Sequence, residues 1–367
     1  METSLNASSG RRQSEEKGFW LVAIPVLVLL CSISFFINGL IILSCRWLKR
    51  PLSPLVCITL SLCAADLCLS FWQGVASVLI FYLPSVVGFT GLSHRCFSLG
   101  LAVVRLGSAM TAVLHLLALT LHHYVGISRP LQYPSIMNPE RTYLFILVLW
   151  LVPFLSLMLV FTLMPNQAFQ SPGCSRIMFY RTFRFRFALS MTIVLPLLLM
   201  CILYTRIVQL LHRRGRNHLL VGHRLSGRNV TKAKTVKTTV AYVATFALGW
   251  LPALLVFCLK CQYGCPLQSF KLKGHFVRAA VNLLIIGKSI FNACVVAARD
   301  KEIQLAVRKM WLACRGREVR GESLLMSGSA SLNVRSMQKS SCPVRPTGAL
   351  DDIDTLSGED HRRHTAL

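Results

Sequence analysis

Hydrophobic residues fall along this chain in seven long runs, at about 19–45, 55–82, 98–121, 143–164, 187–211, 236–259 and 275–298, with short polar stretches between them. A helix rises ~1.5 Å per residue, so each run is near or above the ~20 residues that cross ~30 Å of hydrocarbon. The third run has the clearest internal order. Within it Arg105, Ser108, Thr111 and His115 recur at spacings of three, three and four, which stacks them on one helical face. Lipid offers such a face no partner, so the pattern predicts a helix enclosed by its neighbours. The seventh run is the least apolar, carrying Arg278, Asn282 and Lys288. No internal repeat links the halves, which argues against the common secondary-transporter folds. The predicted fold class is an all-α membrane protein, a bundle of seven spanning helices.

Composition sharpens this picture. With 54% hydrophobic and 15% charged residues, an ordinary soluble globule is excluded. A net charge of +26 would suggest nucleic acid in a soluble protein. In a membrane protein it reads instead as basic cytoplasmic loops with affinity for anionic lipids, and no nucleic-acid partner is expected. Placing residues 1–18 outside assigns 26 Lys and Arg to the cytoplasmic side against 11 outside, which supports that orientation in the plasma membrane. It leaves Asn6 of Asn6-Ala7-Ser8 as a glycosylation acceptor, whereas Asn229-Val230-Thr231 is cytosolic and unused. The first run, after residue 18, is long enough to be a span rather than a cleaved leader. The 14 cysteines are scattered and form no paired metal-ligand spacing, so neither a metal nor another cofactor is expected.

Several residues, about one set per run, carry a family resemblance. After the third run come His122-His123-Tyr124 and then Pro130-Leu131-x-Tyr133; Asn38-Gly39, Leu62-x-x-x-Asp66 and Trp150 mark the first, second and fourth runs. Pro196 and Tyr204 mark the fifth, and Phe246-x-x-x-Trp250-Leu251-Pro252 the sixth. In that order they resemble the rhodopsin-like (class A) G-protein-coupled receptors over residues 19–314. The resemblance implies a receptor, not an enzyme, working through heterotrimeric G proteins and arrestin. It also implies a disulfide between Cys96 and Cys174. Cys261 and Cys265, with Cys258 nearby, are candidates for a second small loop, the alternative being free thiols.

Asp66 is the only acidic residue inside any run, and an unpaired carboxylate at that depth is costly. In the family it is often met by a sodium ion. Here Lys288 lies one helical turn before Asn292, the residue matching the Asn of the family's Asn-Pro-x-x-Tyr motif. An internal Asp66–Lys288 pair is therefore expected to replace the ion, with Asn38 and Asn292 as further donors. The alternative, in which Lys288 snorkels or loses its proton, stays open. An opsin is disfavoured, because the retinal-binding position falls at Ile286, ~200° around the helix from Lys288.

Every charged residue on the outer loops between the runs is basic, and Arg105 and Arg278 extend that charge into the bundle mouth. Arg105 corresponds to the aspartate that meets the ammonium in the family's amine receptors, though Cys96 lies two residues out of the family spacing. An amine ligand is disfavoured and an anionic or lipid-like one favoured, with Arg105, Ser108, Trp250 and Arg278 as the ligand-facing set. The alternative, that these cations only meet headgroups, also stands.

At the cytoplasmic side the family's Asp-Arg is replaced by His122-His123, and Lys232 occupies the region of the usual acid of the sixth span. The activation residues are thus His122, His123 and Tyr124 with Pro196, Tyr204, Phe246 and Pro252, two switches being altered. Ligand-driven coupling, high basal activity and a decoy or partner receptor are all compatible with that change. Residues 299–314 read as a short amphipathic eighth helix with Cys314 as a palmitoylation candidate. Residues 315–367 read as a disordered cytoplasmic tail. Its end, Thr365-Ala366-Leu367, resembles a PDZ-domain ligand, with Thr365 and Leu367 as the anchors. A transporter or proton pathway through Asp66 and Lys288 is the distant alternative.

Overall fold

In the computed structural model the described residues are 2–89, 95–220, 243–258 and 274–315, with the side chains of 2–16, 214–220, 274, 275, 278 and 299 outside that description. Each of the seven apolar runs contains helix. They are α1 (Glu2–Leu43), α2 (Pro54–Ala76), α3 (Arg95–Ser128), α4 (Pro139–Leu163), α5 (Phe183–Leu220), α6 (Val243–Cys258) and α7 (Gly274–Arg299). An eighth, α8 (Lys301–Cys314), follows. Among the described residues six helices are long and apolar enough to cross a membrane, and α6 is described over a shorter stretch.

Local sequence explains where α2 and α4 begin. Ser53 and Asn138 sit just before Pro54 and Pro139, and their side chains accept the N–H groups of Val56 (3.3 Å) and Glu140 (3.2 Å). Proline at the first helical position has a pre-set φ and no N–H to satisfy, so each pair is a start signal. Past Ala76, α2 continues as a π-helical stretch, Ser77–Val87, containing Pro84. Proline cannot donate to the ladder, and a widened turn is one way to absorb that loss. Gly88, at φ +78°, closes it. The N-terminal residues expected as an extracellular segment are helical from Glu2 onward. Before Pro25 the only helix-weakening glycines are Gly10 and Gly18, too few to end the helix.

α3 is the central helix and packs against α2, α4 and α5. Ser108, Thr111 and His115 are all fully buried, as their common face demanded. His115 Nδ1 lies 2.8 Å from the Thr111 carbonyl, which can only accept, so Nδ1 carries the proton. Nε2 is then the acceptor for the Ser61 hydroxyl at 2.7 Å, and Ser61 in turn accepts the Trp150 indole N–H at 2.9 Å. One neutral imidazole thus ties α2, α3 and α4 together. The main apolar core continues through Leu62, Leu116, Met200, Phe246 and Val296.

Two further contacts fix the ends of the bundle. At one end the Cys96–Cys174 disulfide holds the α4–α5 connection to α3. There Arg186 donates to the backbone oxygens of Tyr180 (3.0 Å) and Phe257 (3.1 Å), with its guanidinium 4.8 Å from the Phe257 ring centre. At the other end Asp300 caps α8 by accepting from Glu302 N (3.0 Å) and Ile303 N (3.3 Å). Burial raises the Asp300 carboxyl above its usual range, and those two N–H bonds oppose the rise. Ile303 and Ala306 are buried, Ala306 against Leu48 and Val56, while Trp311 and Cys314 stay exposed, so α8 is two-faced.

His115→Phe keeps the bulk but removes the acceptor for Ser61. It is expected to cost about 1–3 kcal/mol, read as a lower melting temperature in detergent.

Candidate functional site

The deepest polar cluster is built on α2 and α7. Asp66 is fully buried and Lys288 is 3% exposed. The Lys288 ammonium donates to Asp66 Oδ1 at 2.8 Å, and the Ser289 hydroxyl donates to the same oxygen at 2.9 Å. Asp66 Oδ2 accepts from Asn292 Nδ2 at 2.9 Å. Lys288, Ser289 and Asn292 reach one carboxylate because positions one, three and four apart on a helix span a single side. Asn38, expected as another donor, is not one: its amide donates to the Ser34 carbonyl at 2.9 Å in its own helix. Ser289 takes that place, and its position three before Asn292 was the signal for it. Above the cluster Ser70 donates to the Asp66 backbone oxygen at 2.7 Å and lies 2.7 Å from the Ser34 hydroxyl, joining α1 to α2.

Toward the disulfide end the helices part around a cavity of about 890 Å³. Its walls come from α2 to α7 and from the α4–α5 connection. Arg95, Arg105 and Arg181 lie on them, with Gln73 and Asn282 as neutral polar groups, and no carboxylate lines the cavity among the described residues. The remaining surface is mostly apolar, with Leu106, Ile193 and Leu254 among it. Trp250 lies on the wall too, and its buried indole N–H has no hydrogen-bond partner among the described residues. Ser108, expected to face a ligand, does not line the cavity. Its hydroxyl donates to the Val104 carbonyl at 2.9 Å, a common use of serine inside a helix. The Arg278 side chain lies outside the described residues.

At the α8 end His122 is buried and its Nε2 is hydrogen-bonded to the Tyr133 hydroxyl. Burial pushes the Tyr133 phenol above its usual range, so it keeps its proton. His122 Nδ1 has no partner among the described residues. Tyr124 packs with Ile127, Tyr204 and Ile207. The Phe246 and Trp250 rings are tilted against one another in α6, with centroids 6.2 Å apart, and Pro252 lies in the same helix. Pro196 lies inside α5. Lys232, Cys261, Cys265, Thr365 and Leu367 lie outside the described residues, as does the Asn6 side chain.

Comparison with known proteins identifies the family. The model of the 7 transmembrane receptor (rhodopsin family) matches residues 37–294. The human glucose-dependent insulinotropic receptor is 25% identical over 305 residues, covering 79% of this chain and 85% of its own length. The mouse G-protein coupled receptor 12 is 26% identical, covering 80% and 83%, and the rat histamine H2 receptor 23% identical, covering 78% of each. A family match over most of the chain, on a bundle of seven apolar helices, makes this protein a multi-pass plasma-membrane member of the rhodopsin-like G-protein-coupled receptors.

Proposed function

We propose that the protein couples the binding of an amphipathic anion in its outer cavity to heterotrimeric G proteins, with its N-terminus extracellular and its C-terminus cytoplasmic. The observation that carries this reading is the lining of the cavity among the described residues: three arginines, no carboxylate, and a mostly apolar wall. At about 890 Å³ the space suits a small organic ligand. Fixed positive charge above an apolar pocket raises the local concentration of anions, and guanidinium forks hold carboxylates and phosphates best. The Trp250 indole N–H supplies a further donor for an acceptor deep in the site. The name of one relative includes histamine, an amine, but an ammonium here would meet three arginines and, among the described residues, no carboxylate. A fatty acid or a lysophospholipid with an ionised headgroup matches both halves of the lining.

A second reading, high basal activity, is supported by the other end of the bundle. With His122 bonded to Tyr133 and His123 beside it, no acid–arginine pair can form at those positions to hold the resting state. The exposed Cys314 at the end of α8 is a palmitoylation candidate, and Asn6 a glycosylation candidate. Arrestin, a PDZ-domain protein recruited by Thr365 and Leu367, and anionic membrane lipids complete the proposed partners.

Long-chain fatty acids and lysophospholipids are expected to raise the melting temperature of the purified receptor, while the matching neutral alcohols and monoacylglycerols do not. Arg105→Gln or Arg181→Gln should weaken the effect about tenfold or more; equal effects of neutral and anionic amphiphiles would defeat the anion reading. Nucleotide exchange on purified G protein separates the coupling modes. Exchange by the wild type without ligand supports basal activity, whereas exchange that appears only in His123→Arg marks a decoy.

A further inference from the structure

The buried carboxylate at the centre of this bundle carries its own cation. The family resemblance points to a sodium ion beside Asp66, and the question is whether the residues present suit one. They do not. Such an ion needs net negative charge and free oxygen lone pairs. Here Asp66 Oδ1 already takes the Lys288 ammonium at 2.8 Å and the Ser289 hydroxyl at 2.9 Å, and Oδ2 takes Asn292 at 2.9 Å. The carboxylate and ammonium cancel in charge, and a second cation beside Lys288 would be repelled across a few ångströms of protein interior.

An independent feature shows that the fold makes room for this lysine. Gly249, next to Trp250 in α6, faces the Lys288 stem: a Cβ added there would lie 3.0 Å from Lys288 Cβ and 3.2 Å from the Leu284 carbonyl oxygen. Both are tighter than ordinary contact, and one is backbone. A side chain at Gly249 would therefore push α6 away from α7 or displace the lysine. The absence of one lets α6 lie directly on the stem whose tip binds α2.

We propose that Lys288 is a tethered counter-ion that makes this receptor insensitive to sodium, and that it joins α2, α6 and α7 through one side chain. Sodium as an external modulator is replaced by a covalent part of the chain. The binding of a cation is no longer an equilibrium that the ionic composition outside the cell can shift. The inference rests on the Asp66 cluster alone and stands or falls separately from the ligand reading.

The test is the melting temperature of purified receptor in sodium chloride against choline chloride at matched ionic strength. The wild type is expected to melt at the same temperature in both. Lys288→Ala leaves Asp66 without its cation; it should melt lower in choline and recover by about 2 °C or more as sodium is added, in a saturable way. Lys288→Asn is the second variant should the alanine fail to fold, and Asp66→Asn added to either should abolish the recovery. A saturable sodium-dependent rise in the wild type, or no sodium effect in either lysine variant, would overturn the proposal.

Discussion

One carboxylate in a low-dielectric interior sets the terms for the rest of this molecule. Asp66 has no acidic companion in any span and no water-exposed surface. Leaving it charged and unpaired costs several kcal/mol. The structure meets that need with three donors from α7, and the consequence is a bundle in which α2 and α7 are fastened at mid-depth. Ser70 and Ser34 extend the fastening to α1 through the Asp66 backbone. A second knot, His115 with Ser61 and Trp150, ties α2 to α3 and α4 without any charge. Polar groups inside a membrane bundle specify which helix faces which, because lipid rewards only their concealment.

Charge is distributed along the bundle axis with the same economy. The mid-depth site is neutral as a pair, while the cavity toward the disulfide end holds arginines and no acid among the described residues. Arg186, with its two carbonyl bonds and its place over Phe257, is spent on holding α5, α6 and the α4–α5 connection together. At the opposite end the polar contact near Tyr124 is an imidazole on a phenol, which is not an ion pair.

Much of the fold was legible in the sequence because the bilayer converts hydropathy directly into helix length. The polar face of α3 was readable for the same reason: a spacing of three and four leaves no doubt which side must be enclosed. Lys288 and Asn292 could be placed on one side of α7 by counting a turn. What counting could not decide was where short polar side chains would spend their hydrogen bonds. Asn38 and Ser108 both turned back to carbonyls four residues earlier in their own helices, an option open to any such residue and settled only by packing. Ser289 sits three before Asn292, yet a serine in an apolar run stands out only once an acid is seen to face it. Gly249 was illegible for a different reason, since a missing side chain announces nothing until the neighbouring helix is seen 3.0 Å away from where it would stand.

The account depends on Lys288 and Asp66 stabilising the bundle as a unit, and a double-mutant cycle on thermal unfolding measures that directly. With Asp66→Asn and Lys288→Met, each single change strands the other group, whereas the double change leaves an uncharged site. The account predicts that the double variant melts closer to the wild type than either single variant does. Losses that simply add in the double variant would contradict it.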